Sequence, residues 1–184
     1  MSLQDDLARI GALAARFAAP GEELAAVLAA EPGPSRRVYL CAFANGSAER
    51  SWVALDDDGE PLGSRALVRE AASIAALCEL AAETAGGGEL EELRAQLVTL
   101  RLTESPPGIE EAEEAALALE QAVGAAPRLA TPEYLDAVGA ASRRLETALG
   151  DRGGSPFADA MRAGSAAVEA LTAEVEGRYK LELS

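Results

Sequence analysis

Apolar residues recur at helical spacing along most of the chain, and only two stretches depart from that period. Leu3, Leu7, Ile10, Leu13 and Phe17 step along one face of a helix, with Ser2 placed to cap it. Asp5 and Asp6 fall in the first turn, where the helix dipole favours anions. After Pro20-Gly21, the segment Glu22 to Ala30 offers Leu24, Val27 and Leu28 as a short second helix, so residues 2–30 read as N-terminal helices. Pro32-Gly33-Pro34 breaks the pattern and predicts a loop over Glu31 to Ser35.

The first departure is at residues 37–62. Val38, Tyr39, Leu40, Cys41 and Phe43 cluster ahead of Asn45-Gly46, and Trp52 and Val53 follow, which predicts an antiparallel β-hairpin. A two-residue turn on Asn45-Gly46 sets Tyr39 opposite Trp52; a longer loop through Arg50 is the alternative. Asp56-Asp57-Asp58-Gly59 is a second turn, from which Glu60 to Gly63 can return as a short strand. The second departure is the C-terminus, where Tyr179, Leu181 and Leu183 alternate with Lys180 and Glu182. That period predicts a strand over 179–183 docking beside the hairpin.

Residues 64–178 read as a helical bundle. Leu67, Ala71, Ile74, Leu77, Cys78 and Ala81 mark a face that ends at Gly86-Gly87-Gly88, and Leu90, Leu93, Leu97 and Leu100 then trace a narrow seam. Ile109, Ala112, Ala116, Leu119 and Val123 mark the next helix, which Pro127 closes. Thr131-Pro132 and Ser155-Pro156 each pair a capping residue with proline in the first turn. The helices they open bury Leu135, Val138, Ala141, Leu145 and Leu149, then Phe157, Met161, Gly164, Val168, Leu171 and Val175. The expectation is an α+β fold: about six or seven helices with a small antiparallel ribbon, in one domain over 1–184.

Composition narrows the function more than it identifies it. Net charge is −15, from 31 acidic against 16 basic residues, which disfavours nucleic acid and anionic membrane surfaces because both are bound through basic side chains. No apolar run is long enough to span a bilayer, and the start lacks the basic and apolar regions of a secretory signal, so the cytoplasm is the expected location. Cys41 and Cys78 are too few for a disulfide scaffold and read as small buried hydrophobes. The chain has no histidine, which removes Ser-His and Cys-His nucleophilic sites and His-ligated metal centres.

Among the acidic residues, one spacing carries chemistry. Glu110 and Glu113 stand one turn apart on one helix, as do Glu133 and Asp136 on the next. This arrangement resembles the paired acidic motifs of the all-α nucleoside triphosphate pyrophosphatases, a resemblance resting on these four positions. It implies carboxylates facing one another to hold Mg²⁺ against a polyphosphate, with Arg128, Arg143 or Arg144 as the nearby cations. Glu111 and Glu114 fit the same spacing, and a solvent-facing charged stripe is the preferred reading of so acidic a helix. The sequence therefore points to a non-enzymatic interaction or assembly module without a cofactor, with a protein partner or self-association through apolar positions on the ribbon and on the Leu90, Leu93, Leu97 and Leu100 seam, which is expected to lie against another helix of the chain or across a homodimer. A Mg²⁺-dependent nucleotide pyrophosphohydrolase is the alternative.

Overall fold

The computed structural model describes residues 2–124, 129–152 and 155–179. Within it the chain forms two compact units. The first holds α1 (Leu3–Ala14), β1 (Glu23–Gly33), β2 (Arg36–Ala44), β3 (Arg50–Leu55), the start of α2 (Arg65–Gly86), β4 (Leu129–Ala130) and most of α7 (Ser165–Arg178). The second holds the rest of α2 with α3 (Glu89–Thr103), α4 (Ile109–Gly124), α5 (Pro132–Leu149) and α6 (Pro156–Ala163). The α+β class is what the periodicities indicate.

The first unit is organised by β2. Val38 to Phe43 are all fully buried, so this strand is covered on both faces and needs a hydrogen-bonding neighbour at each edge. β3 pairs antiparallel on one side and β1 antiparallel on the other, and β4 adds parallel to β1 through Ala29–Leu129 and Ala30–Ala130. The result is a mixed four-stranded sheet in the order β3-β2-β1-β4, which corrects the expected simple antiparallel hairpin.

The same pairing corrects the expected helix at Glu22 to Ala30, and with it the reading of residues 2–30 as helical. This alanine-rich stretch is strand β1, because the buried edge of β2 must be paired and that demand outweighs local helix propensity. The expected loop after it is a tight turn, Pro34-Ser35, between Gly33 and its partner Arg36, with Ser35 at φ 63°. Between β2 and β3 the longer loop is the one formed: Ala44 pairs with Arg50, Tyr39 faces Leu55, and Trp52 pairs with Ala42 rather than with Tyr39. The return after Asp56 to Gly59 is a single bridge between Leu55 and Pro61.

Alternate side chains of the sheet point to opposite faces. Tyr39, Cys41, Phe43, Val53 and Leu55 pack with Ile10 and Ala14 of α1. On the side of Trp52, the indole N–H donates to Glu174 of α7 at 3.4 Å, and Tyr179 forms a parallel bridge with Trp52. Residues 180–183 of the predicted C-terminal strand lie outside the described residues, as do Pro127 and Arg128.

Arg37 fastens the α1 face of the sheet. Its guanidinium donates to Glu31 at 3.0 and 3.1 Å, to Asp6 at 3.2 Å and to the Tyr39 hydroxyl at 3.3 Å. The Tyr39 hydroxyl in turn donates to Asp57 at 3.1 Å. The hydrogen bond to Tyr39, followed by the Glu31 carboxylate, holds the Arg37 pKa above its ordinary value.

In the second unit one apolar core joins Leu90, Leu93 and Leu97 of α3, Ile109, Ala112, Ala116 and Leu119 of α4, Val138 and Leu145 of α5, and Phe157 of α6. The last helix of the sequence reading is two helices, parted at Gly164. A Cβ at Gly164 would lie 1.9 Å from Leu80 Cδ2, so glycine is what allows the chain to pass this close to α2.

Candidate functional site

The leucine seam, expected to lie against another helix of the chain or across a homodimer, packs against a helix of its own chain. Leu90, Leu93 and Leu97 are 2%, 8% and 4% exposed, and Leu100 packs partly buried against the same cluster. They face the apolar stripe of α4 within the chain, so they offer no free surface to another protein. The reason is the short connection from Glu104 to Gly108, which folds α4 back along α3 and makes it the seam's covering helix.

A second stripe on α3 runs beside the seam. Arg94, Val98 and Arg101 follow one another at four- and three-residue steps. On α4 the matching stripe is Glu110, Glu113, Glu114 and Leu117. Together they line a groove of about 390 Å³ on the solvent side of the helix pair.

Two ion pairs cross that groove. Arg101 Nε lies 2.6 Å from Glu113, and Arg94 pairs with Glu120 two turns further along each helix. An early residue of α3 meets a late one of α4 and the reverse, which makes the helices antiparallel and places each arginine opposite a glutamate. Val98 and Leu117 lie between these rungs and remain 38% and 41% exposed; Leu102, one turn beyond Val98, is 73% exposed. The groove thus has a basic wall on α3, an acidic wall on α4 and uncovered apolar side chains between and beside them.

The four carboxylates of the acidic motif stand on two separate helices. Glu110 and Glu113 sit on the groove side of α4, with Glu113 engaged by Arg101, while Glu133 and Asp136 occupy the exposed first turns of α5. Among the described residues no three side chains of His, Cys, Asp or Glu could hold an ion together. Arg144 lies 3.7 Å from Glu114, an exposed pair, and Arg143 lines a separate groove on α5 with Leu135 and Met161. The acidic positions are spread along helix surfaces because each stripe is set by its own helix's buried face.

Neither cysteine is a ready nucleophile. Both are buried, and burial pushes the Cys41 thiol up to about 12, so it stays protonated and unreactive at neutral pH. Among the described residues no helix is long and apolar enough to cross a membrane. No family model, curated protein or solved structure matches the chain.

Val98, Leu102 and Leu117 were not singled out by periodicity. The signal that marks them is local: each is an apolar residue lying off the buried stripe of its own helix, one or two positions from Leu97, Leu100 and Leu119.

Proposed function

We propose that this protein is a non-enzymatic interaction or assembly module that recognises a protein partner with the α3–α4 face. One observation carries the reading. The large hydrophobic side chains left exposed among the described residues are Leu24, Val98, Leu102 and Leu117, and three of these share one helix pair. Scattered exposed leucines need no explanation, whereas neighbouring ones framed by charge have the makeup of a recognition patch, apolar at the centre and polar at the rim.

The paired charges serve orientation more than affinity. Exposed ion pairs contribute little to stability, about 0–1 kcal/mol, but a surface with signs separated onto two walls rejects partners that present the wrong order. The pyrophosphohydrolase reading, with Mg²⁺ on Glu110, Glu113, Glu133 and Asp136, is not favoured, since it requires these carboxylates to converge and Glu113 is held by Arg101.

The test is site-specific photo-crosslinking inside the native cell. A photoreactive side chain at position 102 is expected to give a discrete adduct, and one at the exposed Gln96, on another stripe of α3, is expected to give none. No adduct from position 102, or equal adducts from both, contradicts the reading.

A further inference from the structure

Resting on that interaction reading, we propose that the α3–α4 groove is occupied by the same groove of a second copy of this chain, with α3 of each protomer lying antiparallel over α4 of the other. The two walls carry opposite charge: Arg94 and Arg101 on α3, Glu110, Glu113 and Glu114 on α4. Such a surface is its own complement in one orientation only. A twofold axis running along the helices brings α3 over the partner's α4, so arginines meet glutamates. A twofold across the helices stacks α3 on α3 and sets like charges opposite one another.

In the favoured orientation the levels already agree. Arg101 and Glu113 share one level within the chain, as do Arg94 and Glu120, so each rung meets its inverted copy and becomes a ring of alternating signs. Val98 and Leu117 of both copies are then covered between the rings. A net charge of −15 opposes self-association, and the arginines of this face offset that opposition locally.

The size of the face sets the strength. Helices of 15 and 16 residues are about 22 Å long, and a packed pair is roughly 20 Å wide. That footprint falls below the roughly 800 Å² per partner of a standard interface, which is the size class of weak, transient contacts.

The experiment is sedimentation velocity on the full chain from about 1 µM to about 1 mM. The mass is expected to move from one copy to two. Arg101→Glu and Glu113→Arg are each expected to weaken association by at least about tenfold. Mixing these two variants is expected to restore a dimer, because α3 of one then opposes α4 of the other with correct signs at every contact while the pair inside each chain stays broken. A residue acting only within its own fold cannot give that rescue. Should either charge variant fail to fold, Leu102→Asp is the substitute, since a side chain 73% exposed can be changed without unfolding the helix.

A chain that stays monomeric to about 1 mM overturns the second-copy inference. Crosslinking from position 102 to a different protein would then leave the interaction reading intact. A dimer that the variants do not weaken, or that mixing does not restore, joins through another face and also overturns it.

Discussion

Arg101 Nε lies 2.6 Å from the Glu113 carboxylate across the α3–α4 groove, and both side chains keep contact with water, at 40% and 22% exposure. A pair so placed gains modest Coulomb energy against the entropy of holding two long side chains. Replacing Arg101 by Ala is therefore expected to cost less than about 1 kcal/mol, and a double-mutant cycle with Glu113→Gln to give a coupling of about 0.5 kcal/mol. Urea unfolding at low protein concentration measures both. A coupling above about 2 kcal/mol would mark the rung as a structural clamp instead.

The leucine seam beside it behaves in the opposite way. Leu97 is 4% exposed and belongs to the core shared by α3, α4, α5 and α6. Leu97→Ala removes buried methyl groups and leaves a cavity, with an expected loss of about 2–5 kcal/mol. A loss below about 1 kcal/mol in denaturant would show the site relaxing around the smaller side chain.

This contrast shows how far periodicity reaches. The buried stripes of α1, α3, α4 and α5 were legible because a helix has one apolar face and the steps of three and four residues report it directly. β1 was not legible. Its Glu23-Leu-Ala-Ala-Val-Leu-Ala-Ala run has helix-forming residues, and what makes it a strand is the edge of β2, ten or more residues away in most of the ladder. β4 was hidden for the same reason, since two residues carry no period and only the parallel ladder with β1 defines them. At the groove, the acidic spacing on α4 was visible, but not its partners. Pairing of Glu113 with Arg101 depends on how the connection registers α4 on α3, which no single-helix pattern contains.

The turn after β3 offers a sharp steric test. Gly59 has φ 80°, and a Cβ there would lie 2.6 Å from Leu13 Cδ1 of the α1 segment. Gly59→Ala meets both a left-handed backbone and a close contact, and is expected to cost about 1–3 kcal/mol. Gly63→Ala, where a Cβ meets nothing within 4 Å, is the control and is expected to change stability by less than about 0.5 kcal/mol. Equal effects at the two positions would contradict the packing of the Asp56 turn against α1.

Stability should fall in alkali. Burial raises Cys41 from 9.0 to about 12 and Tyr179 from 10.0 to about 12, and it is the main cause of the raised value of Tyr39. Each group stays protonated in the folded chain while its unfolded counterpart ionises. The unfolded state then binds fewer protons, so the contribution is whole below about pH 9 and is lost progressively up to about pH 12. Urea midpoints between pH 8 and pH 11 measure this, and Cys41→Val is expected to make the decline shallower. A midpoint unchanged across that range would contradict the burial of these groups.

That the α3–α4 face serves recognition and not folding is tested most directly by urea unfolding of the Val98→Ser/Leu102→Ser/Leu117→Ser chain, kept dilute enough to remain monomeric. Side chains 38%, 73% and 41% exposed are only partly covered, so the triple variant is expected to lose about 1–3 kcal/mol in total. A loss above about 3 kcal/mol, approaching that of a single core leucine, would show that these residues belong to the core and leave the groove without the apolar surface that recognition requires.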